Sequence, residues 1–362
     1  MACSGSFNND GNIEDIVYQK ESYDLFAAEW VNRIEAVPLE TNDSLLLGTL
    51  LELLPPVSEG FYVVDRGGSD KLLSFNFQGE FIRSIGRRGN GPGEYTKLED
   101  AHIEGEFIEI HAWKGWLTRY TYTKDGQFLQ ARSFPYIGNK LINWGNYDWV
   151  YVNYSNRYSP DRLIKVNATG KKVKGFLPSK AKVLPFLEKF PVFSRYGDRL
   201  FFRESFNNTV YEIMESGVVP RYRFDFGHLN VPDSYFKYSD HMEAAMDLKK
   251  TAFVTIDYFS ENDYYTLVRA SIQGDKMSKL LGLKHKGRQE WQWFTHPQNG
   301  ELSALFSGYF VLGKDAVLYG LVMPEKLMQL NTSERKKIIN AEILDGLRED
   351  DNPVILKFVL EE

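Results

Sequence analysis

Gly60–Tyr95 reads GFYVVDRGGSDKLLSFNFQGEFIRSIGRRGNGPGEY. Three short runs of β-branched, aromatic and aliphatic residues are separated in it by turn formers. Phe61-Tyr62-Val63-Val64 stops at Asp65 and the Gly67-Gly68 turn. Leu72 to Phe77 closes at Gln78-Gly79, and Glu80 to Ile85 runs into Gly86 and the loop Gly89-Asn90-Gly91-Pro92-Gly93. Such runs, punctuated by Gly, Asp and Asn, predict antiparallel strands joined by hairpins, followed here by a glycine-rich exit loop.

Weaker copies of the stretch follow it. A strand, a polar turn with Gly and a second strand recur as Phe77-Gln78-Gly79-Glu80-Phe81, Lys124-Asp125-Gly126-Gln127-Phe128, Ala168-Thr169-Gly170-Lys171-Lys172 and Glu215-Ser216-Gly217-Val218-Val219. The glycines at 79, 126, 170 and 217 are 47, 44 and 47 residues apart. For the fifth turn two candidates compete, Gln273-Gly274-Asp275 and Lys286-Gly287-Arg288. Each unit also has an earlier strand that ends polar (YVVDRG at 62–67, FIEIHAWKG at 107–115, WVYVNYSN at 149–156, RLFFRESF at 199–206) and an inner strand such as Leu98 to Glu104 or Phe193 to Tyr196. Four strands at this period make a propeller blade, whereas leucine-rich and ankyrin repeats are shorter and partly helical.

Two segments break the pattern. Val231 to Lys250 and Asn331 to Asp350 read as helical insertions, the second with Thr332 as a cap and Ile338, Ile339, Ile343 and Leu344 as its apolar stripe. Residues 1–26 are polar and read as a tether, which leaves 27–362 as a single propeller domain. Without the tether and insertions over 228–250 and 326–350, about 288 residues remain, or about 48 for each of six blades; five blades would need about 58 and seven about 41. Six fits the observed spacing. An open ring would expose two sheet edges, so the strand within Trp30–Leu39 is expected to pair with Pro353–Leu360 in the last blade.

Composition agrees with an all-β chain. Among 362 residues, 43% are hydrophobic and 15% aromatic, with 25 Phe and 21 Tyr, enough for a large core and biased towards strands. The net charge of −6 is spread over interspersed acids and bases. Sequence-independent nucleic-acid contact needs a basic patch, so that partner is disfavoured. No apolar run approaches the ~18–20 residues that span a bilayer.

The segment Phe77–Tyr95, FQGEFIRSIGRRGNGPGEY, resembles the NHL-like six-bladed β-propeller lipoproteins of gut-type Gram-negative bacteria. The closing Glu349-Asp350-Asp351-Asn352-Pro353-Val354 before a last strand is similar to that family too. The resemblance implies an exported, lipid-anchored propeller in the bacterial cell envelope, periplasmic or on the outer membrane, and it implies no settled activity. The single cysteine fits. Ala2-Cys3-Ser4-Gly5 followed by Ser6 to Asn12 is similar to the start of a mature lipoprotein, with Cys3 as the lipidation candidate and Met1 in place of a leader. A diacyl anchor would then be the chain's only tie to the membrane.

The site residues are read against their structural alternatives. The loop Arg87-Arg88-Gly89-Asn90-Gly91-Pro92-Gly93-Glu94 offers two arginines and backbone amides to an anion. It precedes a strand, not a helix, and lacks GxxxxGK[ST], so a blade-to-blade joint with Glu94 and Tyr95 as staples is preferred. Six histidines show no HxH or HExxH spacing, and nothing local supplies three zinc ligands; His102 and His111 fall on neighbouring strands, with His102 able to face a central channel. Six-bladed calcium-dependent lactonases carry acidic and amide ligands at the channel mouth. Asp65, Asp100, Asn143 and Glu204 could serve so here, which leaves calcium open although no cofactor is predicted. No GxSxG elbow is present. Trp113 and Trp116 flank the Lys114-Gly115 turn and could stack on a ligand, or else pack between blades.

The ligand-binding candidates are therefore Arg66, Arg87, Arg88, His102, Trp113 and Trp116. The expected function is a monomeric, non-catalytic binding or scaffold module for a glycan, peptide or envelope protein. The alternative is a metal-dependent, lactonase-like hydrolase or lyase with its site in the channel.

Overall fold

A computed structural model of the chain describes residues 13–19, 25, 28–136, 138, 140–153, 159–179, 188–238, 240, 243, 246–247, 250–274, 277–295 and 309–362. Six four-stranded antiparallel sheets follow one another as blades. From the innermost strand outwards, blade 1 is Leu51–Leu53, Phe61–Asp65, Lys71–Phe75 and Phe81–Ile85. Blade 2 is Lys97–Glu104, Phe107–Lys114, Trp116–Thr123 and Phe128–Phe134, and blade 3 is Lys140–Trp144, Tyr147–Tyr151, Asp161–Val166 and Lys172–Pro178. Blade 4 is Phe193–Tyr196, Arg199–Phe202, Thr209–Met214 and Gly217–Asp225, and blade 5 is Phe253–Glu261, Tyr265–Gln273, Ser278–His285 and Gln292–Thr295. Blade 6 takes Tyr309–Leu312, Val317–Val322 and Val354–Leu360 from the C-terminal part and its outermost strand, Val31–Pro38, from the N-terminal part. The six-bladed all-β expectation is met.

Burial explains why the strands read as they do. Middle strands are covered on both faces by neighbouring blades, so Phe61–Asp65 is buried throughout, a continuous apolar run of the kind that two-sided burial demands. Outer strands are half-solvated, and Phe128–Phe134 is largely exposed up to its last residue. The core is correspondingly divided among the joints between blades. Tyr62, Val64 and Leu72 of blade 1 pack on Leu98, Ile108 and Tyr120 of blade 2. Trp149 and Leu163 of blade 3 pack on Leu200 and Phe202 of blade 4.

The exit loop of blade 1 is such a joint. Gly86 and Gly93 have φ of +70° and +71°, which glycine alone adopts freely. Arg87-Arg88 pairs in parallel with Glu94-Tyr95, Glu94 accepts from the Gly91 N–H at 2.7 Å, and Arg87 sits 2.6 Å from Glu94. Tyr95, fully buried, donates to the Asp70 carbonyl of blade 1 at 2.8 Å.

At the seam, Val31–Pro38 runs antiparallel to Val354–Leu360 with Ile34 opposite Phe358. The second insertion covers the free edge of that strand. Asn340 donates to the Ala36 carbonyl at 2.8 Å and accepts from the Ala36 N–H at 2.9 Å, replacing a missing strand neighbour.

Several expectations need correction. Glu14–Val17 is no tether: it adds a fifth, parallel strand to the outer edge of blade 4, with Glu14 opposite Tyr222. Glu14 also accepts from Lys284 at 2.7 Å, and Tyr18 packs edge-on against Trp293, both in blade 5. Both insertions carry short helical elements, as expected: among the described residues Gly227–Leu229 and Asp233–Lys237 at the first, and Pro324–Leu327, Thr332–Arg335 and Ala341–Gly346 at the second. Asn331 is the cap in place of Thr332. Its side chain accepts from the Glu334 N–H at 3.0 Å while Glu334 accepts from the Asn331 N–H at 2.9 Å. Of the apolar stripe, Ile338 and Leu344 are buried and Ile339 and Ile343 are exposed. The turn between the third and fourth strands of blade 5 is Lys286-Gly287-Arg288, because the first insertion delays that blade. Among the described residues no helix is long and apolar enough to cross a membrane.

Candidate functional site

All six inner strands run side by side around the axis, and their C-terminal ends line a cavity of about 1120 Å³. Leu54 of blade 1, Asp100 to Glu104 of blade 2, Trp144 of blade 3, Arg195 of blade 4, Tyr258 to Glu261 of blade 5 and Leu312 of blade 6 form its wall. The opening lies on the face that carries the turns between first and second strands.

Towards the opposite end the axis is filled by paired charges. Arg66 forms an ion pair with Glu52 and donates to the carbonyls of Glu99 and Lys189 at 2.9 and 3.0 Å. Lys140, fully buried, donates to the Glu99 carbonyl at 2.9 Å and lies 3.2 Å from Asp100 Oδ2. Arg203 donates to the carbonyls of Pro191 and Ile256 and pairs with Glu188 at 3.1 Å. Arg269 donates to the Phe310 carbonyl at 3.2 Å between the rings of Tyr258 and Tyr309. Buried charges persist only when so compensated. The cavity is thus a funnel floored by side chains that are already committed to one another.

The wide end is polar and aromatic. Arg195 pairs with Glu104, donates to the Asn143 carbonyl and lies 5.3 Å from the Trp144 ring centre. Arg199 bridges Glu212 at 3.2 Å and Glu261 at 3.1 Å, while Arg221 reaches Glu212 at 2.5 Å. Tyr196 donates to Asp263 at 2.5 Å. Beside this mouth a smaller cavity of about 410 Å³ is lined by Trp144, Asn146, Tyr147, Trp149, Lys165 and Glu215.

One side of the funnel, in blade 2, gathers ionisable groups. Asp100 and His102 are two apart on the inner strand and share a face; Glu109 and His111 do the same on the next strand. The register puts His111 opposite Asp100 and Glu109 opposite His102. One ligand atom each from Asp100, His102 and His111 lies within 4.8 Å of the others. The series continues outwards: Glu109 stands 3.5 Å from Arg119, and Arg119 and Arg132 both bind Asp148 of blade 3, at 2.5 and 2.6 Å. Burial pushes the His102 imidazole down to about 4, against the opposing pull of Asp100. Burial would raise the Asp100 carboxyl, but Lys140, His102 and Arg66 hold it below its ordinary value. Burial is likewise outweighed at Glu109, which His111 and Arg119 bring down to about 2.

Of the sequence candidates, His102 lines this cavity, and Arg66 does not but pairs with Glu52, which does. Arg87 and Arg88 are exposed beside Glu94 and Asp70. Trp113 and the half-exposed Trp116 sit at the opposite face, and neither lines the cavity. Cys3 lies outside the described residues. The four possible calcium ligands are not brought together: Asp65 accepts from the N–H groups of Gly67, Gly68 and Ser69, Asn143 donates to Asp148, and Glu204 is held by Arg162. Asp100 alone of them reaches the funnel.

Local spacing offered no set of converging metal-ligating groups, yet cross-strand pairing brings Asp100, His102 and His111 together. Sequence reading missed Trp144, Arg195, Arg199 and Glu212 as cavity residues and did not place Asp100 and Glu109 beside the two histidines. A usable signal was present in Asp100-Ala101-His102 and Glu109-Ile110-His111, carboxylate-x-His on two strands joined by the turn at Gly105.

A family profile described as a domain of unknown function, DUF4934, matches residues 12–358. The chain belongs to the DUF4934 family. A crystal structure of a Bacteroides fragilis protein, named for an inferred export, is similar over 97% of this chain and 100% of its own at a TM-score of 0.74 and 18% identity. Similarity at this identity speaks to the fold. BamB from Moraxella catarrhalis (TM-score 0.39, 9% identity, 77% of this chain and 88% of that one) and the glutaminyl cyclase of Myxococcus xanthus (0.36, 12%, 78% and 99%) are more distant. No curated protein matches the sequence.

Proposed function

We propose that this DUF4934 propeller is an exported, non-catalytic binding protein that takes a polar ligand, in first place an oligosaccharide, into the funnel mouth. The observation that carries this reading is the floored cavity of about 1120 Å³ whose rim holds fixed donors and acceptors beside aromatic rings. Because Arg199, Arg221, Glu212 and Glu261 neutralise one another, the rim offers hydrogen-bonding groups in set positions and little free charge. That suits a neutral polyol better than an ion. Trp144, shared by the large and small cavities, and Tyr196 supply ring surface on which a sugar can stack.

Placement in the cell envelope and lipidation at Cys3 are part of the same proposal. They are supported by the likeness of Ala2 to Asn12 to a lipoprotein start, the NHL-like pattern at Phe77–Tyr95 and the inferred export of the B. fragilis protein.

A labelled sample of the chain applied to glycan and peptide arrays tests the ligand. Binding of an oligosaccharide that is lost in Trp144→Ala supports the reading; a peptide signal replaces the ligand class; silence on both arrays at high protein concentration rejects it. For the anchor, fatty-acid labelling in cells should tag Cys3 and fail in Cys3→Ala. A labelled alanine variant refutes lipidation there.

A further inference from the structure

We propose that Asp100, His102 and His111 form a site for one divalent transition-metal ion of the zinc class, set in the channel wall with an open coordination position facing the cavity. The inference concerns a cation and does not depend on which organic ligand the mouth accepts.

The first support is geometric. The three ligand atoms already lie within 4.8 Å of one another, with His102 Nε2 3.8 Å from Asp100 Oδ2 and the imidazole rings 5.0 Å apart between centres. Zinc–nitrogen bonds of about 2.0–2.1 Å place tetrahedral donors roughly 3.3 Å apart. Rotation of the imidazoles about their side-chain bonds closes the difference without moving the strands that carry them.

The second support is independent of that convergence. His111 is 0% exposed, and neither of its ring nitrogens has a hydrogen-bond partner. His102 Nε2 is also buried without one, and Asp100 Oδ2 has an ion pair with Lys140 at 3.2 Å but no hydrogen bond. The other oxygen of Asp100 is engaged, accepting from the Ala101 N–H at 3.0 Å, so Oδ2 is the atom left for the cluster. Glu109 Oε2 stands 3.6 Å from His111 Nε2, beyond hydrogen-bond length. Buried polar groups are rarely left so, because each lost partner costs about 1–3 kcal/mol. One atom from each of Asp100, His102 and His111 converges with the others within 4.8 Å, and a bound cation gives all three a partner.

The donor set selects the ion. Two imidazoles and one carboxylate suit zinc, iron, cobalt or nickel, whereas calcium and magnesium seek oxygen donors alone. Three protein ligands leave a position for water or a ligand atom, and His102 lines the cavity, so that position looks into the funnel. The carboxylates of Asp100 and Glu109 balance the charge. Lys140 shares Oδ2 at 3.2 Å but keeps the Glu99 carbonyl at 2.9 Å, so it retains a partner when the ion takes the oxygen.

Chelator-treated full-length chain should be titrated with Zn²⁺ by calorimetry and with Co²⁺ by visible absorption. We expect one ion per chain and the strong ligand-field bands of low-coordinate cobalt. His102→Ala, whose side chain borders the cavity and can leave without opening a core void, should weaken binding at least about 100-fold while its circular dichroism and melting temperature stay near those of the parent. Sub-stoichiometric binding by the parent, or unaltered affinity in folded His102→Ala, overturns the site. Because no organic ligand is present in these titrations, their outcome and that of the arrays are separable.

Discussion

Arg162 of blade 3 and Glu204 of blade 4 meet as a buried two-point ion pair, Arg162 Nε lying 3.0 and 2.9 Å from the two carboxylate oxygens and an Nη atom 2.7 Å from one of them. Glu204 is completely buried, and Asn207 donates to it at 2.8 Å. The pair bolts two blades where the hydrophobic joint alone would not fix their angle. Removing one partner leaves an uncompensated buried charge, at a cost of about 3–5 kcal/mol. Arg162→Met should therefore lower the urea midpoint strongly, and Arg162→Met with Glu204→Leu should recover most of the loss. An additive double variant would contradict this coupling.

The joint after blade 1 gives a second test. A Cβ on Gly86 would lie 2.7 Å from the Tyr95 hydroxyl and 3.0 Å from Ile110 Cδ1, at a φ of +70°. Left-handed backbone costs an alanine about 1–2 kcal/mol, and the overlap about 1–3 kcal/mol more. Gly86→Ala should destabilise the chain by that combined order, and Tyr95→Phe by about 1 kcal/mol through the bond to Asp70. Together they should cost slightly less than their sum, because the phenylalanine removes the hydroxyl contact but leaves ring Cε1 at 2.8 Å and Ile110 Cδ1 at 3.0 Å. Chemical denaturation of the four proteins measures it.

Acid should loosen the mouth through Glu212. Burial raises its carboxyl, but the hydrogen bonds and charges of Arg199 and then Arg221 outweigh burial and hold it below 4.5. A depressed carboxylate contributes stability that is present above its unfolded value and is lost as pH falls through the folded one. Unfolding free energy should thus drop below about pH 4.5 in the parent. In Glu212→Gln it should start lower at neutral pH and fall less steeply over the same range. Equal slopes in urea titrations between pH 3 and 7 would rule Glu212 out as the source.

Asn340 supplies the fourth test. Its two bonds to Ala36, at 2.8 and 2.9 Å, tie the second insertion to the outermost strand of blade 6. Asn340→Ala should cost about 1–3 kcal/mol and raise hydrogen exchange over residues 31–38 before any other strand. Unchanged exchange there would show that Ile338, Leu344 and their apolar neighbours hold the edge unaided.

These relationships were unequally legible in the sequence. The blades showed because hairpin strands and their turn glycines are local, so Gly79, Gly126, Gly170 and Gly217 kept time for four units. Gly287 fell out of step only because an insertion lies ahead of its blade. Glu14–Val17 left no such mark. A four-residue parallel strand is defined by a partner some two hundred residues away, and nothing in its own pattern names that edge. Asn331 and Thr332 are both good caps, and only the reach of Glu334 back to the Asn331 amide decides between them. The funnel was the least legible part. Asp100, His102, Glu109 and His111 are ordinary strand residues until register sets them opposite one another, and Arg195 meets Glu104 only through the closure of the ring.

The seam of blade 6 also fixes an order of events in the life of the chain. Val31–Pro38 is synthesised roughly three hundred residues ahead of Val354–Leu360, yet each is the other's neighbour in the finished sheet. Until then the early strand has no mate, and an unpaired strand edge is prone to pair wrongly. Ring completion must therefore wait until Val354–Leu360 has been made, a slow step of very high sequence separation. Such a ring remains unlocked until the last strand of its sixth blade is available.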